Sequence, residues 1–103
     1  MPYGDWINEL PTAFFLVMHV AAFALGAGFA WTAFRRELSV LGTAFSLFAA
    51  AELVYMTYHL DWTVFLFAHT IAEVLDLAAF VLVFAAAVAQ VASARRPALE
   101  SGR

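Results

Sequence analysis

The sequence predicts an all-α integral membrane protein with three transmembrane helices and its N-terminus outside. Hydrophobic residues make up 65% of the 103 residues, and charged residues make up 13%. A soluble domain has about 45–50% apolar and about 25% charged residues, so this composition favours a membrane protein. Two short breaks containing charged residues separate three apolar segments, each long enough to cross a bilayer, which takes about 20 residues. We expect one three-helix domain over residues 1–103.

The first predicted helix covers residues 11–34, which are almost entirely apolar. One of its faces carries small residues at four-residue spacing, namely Ala22, Gly26 and Ala30. Small residues let helices approach closely in lipid, where packing drives association. We therefore predict that Gly26 and Gly28 are helix-contact positions.

The second and third predicted helices follow two short polar turns. Charged residues at 35–37 predict the first turn, and the second helix then covers residues 38–60. Asp61 is the predicted N-cap of the third helix, which we place over residues 63–94. The signals that predict its end are Arg95, Arg96 and Pro97.

Charge predicts the topology of the chain and narrows its partners. The predicted turns put the arginines at 35, 36, 95 and 96 on one side and the acidic residues at 5, 9 and 61 on the other. The positive-inside rule then gives a multi-pass protein of the cell membrane with a cytoplasmic C-terminus. A net charge of −3 without lysine argues against nucleic acid as a partner. The absence of cysteine excludes disulfides and thiolate metal sites.

Polar residues recur at helical spacing on both arms of a predicted hairpin over residues 52–76. Residues 52, 55 and 59 share one face of the second helix, and residues 69, 73 and 76 share one face of the third. If the chain reverses around residues 63–65, the two faces pair level by level. The predicted pairs are His59 with His69, Tyr55 with Glu73, and Glu52 with Asp76.

His19 joins this set from the first helix. The first and third helices enter the membrane from the same side, so His19 lies at a depth between His69 and Glu73. An ionisable side chain at the membrane centre costs at least about 2.5–3.5 kcal/mol and usually faces a bundle interior or a watery cavity. The sequence therefore predicts a functional polar cluster in the outer half of the bilayer.

The leading hypothesis from these residues is a transition-metal site. Imidazole and carboxylate ligands suit Zn, Fe, Mn or Cu, and facing helices can build such sites in a bundle core. Asp76 and Tyr55 are predicted to orient the imidazoles or to relay protons. The predicted ligands are His19, His59, His69, Glu52 and Glu73.

Three alternatives use the same residues differently. His19 and His69 could be the axial ligands of a haem b in a small electron carrier. Acids and histidines could instead form a proton relay, although the inner half of the helices has few polar residues. The chain could also be an accessory structural subunit. Beyond the lipid bilayer, we expect a homo-oligomer or a subunit of a larger membrane complex, and binding rather than enzymatic activity.

Overall fold

A computed structural model describes residues 3–101 of the chain, with side chains described for residues 3–95. All regular secondary structure in this part of the chain is helical. A short 3-10 helix, Asp5–Glu9, precedes the helices α1 (Thr12–Arg35), α2 (Ser39–His59) and α3 (Phe65–Ser101). By length and composition, three helical segments can cross a membrane: Thr12–Arg35, Ser39–His59 and Phe65–Arg95. The prediction of an all-α chain with three such helices is confirmed.

The turn from α1 to α2 is a Schellman motif. Glu37 adopts a left-handed conformation with φ 62°. The Leu38 amide donates to the Ala33 carbonyl at 2.8 Å, and the Glu37 amide donates to the Phe34 carbonyl at 3.0 Å. These bonds satisfy carbonyl groups that the end of a helix otherwise leaves unpaired. The turn can therefore be short even though no glycine occupies its left-handed position.

The turn from α2 to α3 begins in the same way. Asp61 is left-handed with φ 63°, and the Trp62 amide donates to the Thr57 carbonyl at 2.9 Å. Asp61 therefore ends α2, and its predicted role as N-cap of the third helix is wrong. That helix begins at Phe65, where the Val64 carbonyl accepts the Ala68 amide at 3.1 Å.

The far end of α3 also differs from the prediction. The helix continues to Ser101 instead of ending near residue 94 at the arginine pair and Pro97. A proline removes one backbone donor, but alanine, leucine, glutamate and arginine around it are strong helix formers. The helical backbone therefore extends past the apolar segment, which ends at Arg95.

The helix α2 lies in the middle of the fold. It packs against both α1 and α3, whereas α1 and α3 do not pack against each other within the described residues. The buried apolar residues of the described chain are all alanines, so the helices meet through small side chains. They are Ala30, Ala33, Ala44, Ala49, Ala51, Ala68, Ala72 and Ala79.

Two glycines mark the closest approaches of α1 and α2. A β-carbon added at Gly26 would lie 2.9 Å from the ring of Phe48, and one at Gly42 would lie 2.6 Å from the ring of Phe34. The predicted contact role of Gly26 is therefore confirmed. Gly28 has no atom within 4 Å of such a β-carbon, so its predicted contact role is wrong.

Candidate functional site

The residues predicted to form a site gather at the end of the fold where α2 turns into α3. We call this set the polar cluster: His19, Glu52, Tyr55, His59, His69, Glu73 and Asp76. Because α2 is central, its side chains meet α1 on one side and α3 on the other. Its three members of the polar cluster therefore connect all three helices.

His19 and Glu52 join α1 to α2. His19 Nδ1 is directly hydrogen-bonded to Glu52 Oε2. Both side chains are largely covered, with 20% of His19 and 12% of Glu52 exposed. When Glu52 is a carboxylate it can only accept, so Nδ1 of His19 is then the donor and Nε2 is left for a further partner.

Tyr55 joins α2 to α3. Its hydroxyl donates to Glu73 Oε1 at 3.1 Å and lies 3.4 Å from His69 Nδ1. The predicted pairing of Tyr55 with Glu73 is confirmed. The ring of Tyr55 also stacks on His19, with the ring centroids 5.3 Å apart, so one side chain contacts both neighbouring helices.

The predicted pair of His59 and His69 does not form, and His59 contacts α1 instead. Its ring stacks on Phe15, with the centroids 4.9 Å apart and the planes 3° from parallel. The ring of His19 is centred 5.1 Å from that of His59, whereas His69 stacks on Phe65 at 5.2 Å. Each histidine thus has an aromatic neighbour, which covers the apolar ring faces.

The predicted pair of Glu52 and Asp76 does not form a hydrogen bond. Glu52 is engaged by His19, and Asp76 Oδ1 is buried without a hydrogen-bond partner among the described residues. Two carboxylates need a shared proton to bond to each other, whereas an imidazole offers a donor directly. His19 of α1 therefore bonds to Glu52 of α2, and Asp76 of α3 has no hydrogen-bond partner at Oδ1 among the described residues.

The five predicted metal ligands divide into two groups. His19, Glu52 and His59 lie together, and His69 and Glu73 meet at the hydroxyl of Tyr55. No three histidine or acidic side chains among the described residues are grouped closely enough to hold a metal ion. Tyr55 contacts both predicted haem ligands, His19 and His69. The metal and haem hypotheses stay predictions.

An apolar groove below the polar cluster was not anticipated from the sequence. It has a volume of about 380 Å³ and is formed by all three helices. Helical spacing could have indicated this groove, because its lining residues continue the helix faces that carry His19, Glu52 and Asp76. Its lining residues are Ala22, Leu25, Gly26, Phe29, Ala44, Phe45, Phe48, Ala79 and Val83.

The charges of the chain are separated along the helices. Glu52, Glu73 and Asp76 lie in the polar cluster, while Arg35 and Arg36 lie at the opposite end of α1 and Arg95 lies within the last two turns of α3. No arginine forms an ion pair with these carboxylates among the described side chains. The polar cluster is therefore an acidic site whose nearest cationic candidates are its own histidines.

No protein-family model, curated protein or solved structure matches this chain. The polar cluster and the groove below it are the features on which a function can be based.

Proposed function

We propose that this chain is a multi-pass protein of the cell membrane whose polar cluster is a proton-exchanging site open to the outside. The placement of the N-terminus outside and the C-terminus in the cytoplasm is supported by the arginines at one set of helix ends. The polar cluster then lies in the outer half of the bilayer. Membrane insertion is supported by three helices of sufficient length and hydropathy.

The observation that carries the proposal is the set of hydrogen bonds between titratable groups of different helices. His19 is bonded to Glu52, and Tyr55 is bonded to Glu73 with His69 beside it. Imidazole and carboxylate groups are the usual components of intramembrane proton relays. A proton gained by one member changes the donors available to its neighbours, so protonation in the polar cluster is coupled.

The groove explains why the site exchanges protons with one side. Its lining residues are alanine, glycine, leucine, valine and phenylalanine, which hold no exchangeable side-chain proton. The described lining of the groove therefore offers a proton no side-chain route from the polar cluster towards the arginine end. The proposed role is to couple the acidity outside the membrane to the arrangement of the three helices.

Histidine NMR tests this proposal. The protein is reconstituted in lipid nanodiscs with 15N-labelled histidine, and the three imidazoles are followed between pH 4 and pH 9, a range that brackets the ordinary histidine pKa of about 6.5. Glu52→Gln is expected to shift the 15N resonance of His19 Nδ1, because an amide replaces the carboxylate to which that nitrogen is hydrogen-bonded. The matched control is Thr43→Ala, which removes a hydroxyl bonded to the backbone of its own helix. Imidazole resonances that follow pH independently of one another, and that Glu52→Gln leaves unchanged, would contradict the proposal.

A metal site at His19 and His59 is the second candidate. Glu52 holds His19 Nδ1, as carboxylates commonly hold metal-binding histidines, and the two rings are centred 5.1 Å apart. Zn, Fe, Mn or Cu could take Nε2 of both rings, with His69 and Glu73 joining after side-chain movement. Elemental analysis and a visible spectrum of the purified protein test it, with His19→Ala expected to remove the metal. A Soret band would favour haem b instead.

A homo-oligomer, or a place in a larger membrane complex, is supported by the exposure of Glu73. This side chain is exposed on the surface of the single chain, and a carboxylate facing hydrocarbon is costly. Another protein surface would cover it. Cross-linking in native membranes tests this proposal. A chain that cross-links neither to another copy of itself nor to another protein would contradict it.

A further inference from the structure

The groove has the size and shape of a small-molecule site. Its volume of about 380 Å³ falls within the roughly 300–1,000 Å³ that ligand pockets occupy. All three helices contribute to it, and small residues such as Gly26 and Ala44 leave space between the rings of Phe29, Phe45 and Phe48. It is partly open to the surface of the chain.

The groove is apolar along its length and acidic at its upper end. Phe48 lies one helical turn from Glu52 on α2, and Ala79 lies one turn from Asp76 on α3. Ala22 follows His19 at the same interval on α1. A molecule lying in the groove would therefore have its apolar part among alanines and phenylalanines and one end at the polar cluster.

Asp76 is the carboxylate of the polar cluster that lacks a hydrogen-bond partner among the described residues. Its Oδ1 atom is buried without a hydrogen bond among the described residues, whereas Glu52 is engaged by His19 and Glu73 by Tyr55. A buried polar atom without a partner costs about 1–3 kcal/mol, more when it is charged. Such atoms are few in native proteins and each needs an explanation. A bound cation would supply the missing partner.

We propose that the groove binds a lipophilic organic cation, with Asp76 as its counter-ion. Three carboxylates without an arginine partner favour a positive charge and disfavour an anionic headgroup. Phe45 and Phe48 offer ring faces that attract cations. A bare metal ion would leave the apolar groove unused, because metals bind through nitrogen and oxygen ligands. A cation with apolar substituents matches both halves of the site.

Phenylbutylammonium, whose N–H groups can donate to the Asp76 carboxylate, is the probe for the first experiment. Binding to the detergent-purified full chain is measured by equilibrium dialysis, and saturable binding is expected. Asp76→Asn keeps the size of the side chain but removes its charge, and it should weaken binding at least about tenfold, which corresponds to about 1.4 kcal/mol. The matched control, Glu37→Gln, removes a carboxylate from the turn at the opposite end and should leave the affinity unchanged.

Two further measurements separate this inference from simple apolar binding. The neutral phenylbutanol, which keeps the apolar part and one hydrogen-bond donor, should bind at least about tenfold more weakly than the cation. Phe48→Ala removes part of the groove wall and should therefore weaken binding of the cation. This variant tests the inference if Asp76→Asn does not fold. Equal binding of the neutral and cationic probes, or wild-type affinity in Asp76→Asn, would overturn the inference. Neither outcome affects the histidine titrations, so the proton-exchange proposal is judged separately.

Discussion

Tyr55 donates its hydroxyl hydrogen to Glu73 at 3.1 Å, across the packing of α2 on α3. The ring of the same tyrosine stacks on His19 of α1 at 5.3 Å. One side chain of the central helix therefore contacts both outer helices. Since α1 and α3 do not pack against each other within the described residues, Tyr55 links the two outer helices through α2.

Removing the hydroxyl of Tyr55 is expected to weaken the packing of α3. Tyr55→Phe keeps the ring on His19 but removes the donor to Glu73. Polar bonds between membrane helices contribute about 0.6 kcal/mol on average and up to about 1.7 kcal/mol. We expect a loss in this range in the free energy of unfolding, measured in mixed micelles. Tyr58→Phe is the control, and an equal loss in both variants would contradict the role of the Tyr55 hydroxyl.

Two alanine substitutions distinguish a glycine at a helix contact from one that has open space beside it. Gly28→Ala meets no atom within 4 Å and should stabilise the helix by up to about 1 kcal/mol through higher helix propensity. Gly42→Ala gains the same propensity but displaces the Phe34 ring, which lies 2.6 Å from the new β-carbon. Overpacking costs about 1–3 kcal/mol. Unfolding measurements should therefore find Gly42→Ala the less stable variant, and the reverse order would contradict the packing of α1 on α2.

Glycine at the left-handed position of the first turn should stabilise the protein. Glu37 has φ 62°, a conformation that costs a residue with a β-carbon about 1–2 kcal/mol. Part of that gain is lost because glycine is more flexible in the unfolded chain. We expect Glu37→Gly to add about 0.5–1 kcal/mol to the free energy of unfolding. Glu37→Ala, which keeps a β-carbon, should not stabilise; equal effects of both substitutions would argue against a strained turn.

The orientation can be tested with tags at both termini. The arginines at one set of helix ends favour that end in the cytoplasm. In intact cells, a protease is expected to remove an N-terminal tag and to spare a C-terminal one. Detergent lysis, which exposes both tags, is the control. A C-terminal tag cleaved in intact cells would place the polar cluster on the cytoplasmic side and overturn the proposed access from outside.

The three helices could be predicted because apolar length and composition are properties of each segment alone. The helix ends were less predictable. Asp61 matches the residue type of an N-cap, but it lies in the left-handed position that ends α2. Both roles favour aspartate over most residues, so the residue type alone could not decide between them. Pro97 likewise signals an end, yet the helical backbone of α3 passes through it.

The composition of the polar cluster was also predictable, because residues three, four and seven apart share a helix face. Which of its residues bond to each other was only partly predictable. A two-helix hairpin predicts Tyr55 with Glu73 correctly, but it also pairs Glu52 with Asp76. In the structure His19 reaches Glu52 from α1. Pairing the faces of only two helices leaves out α1, whose His19 bonds to the same acid.

The sequence by itself determined that this chain forms three long apolar helices and which of their faces carry histidines, acids and small residues. Only the tertiary structure decided that α2 is central, that His59 meets Phe15, and that Asp76 Oδ1 is buried without a hydrogen-bond partner among the described residues. The physical reason is that spacing along a helix sets which side chains share a face. The neighbour that each face meets depends on how all three helices rotate and pack together.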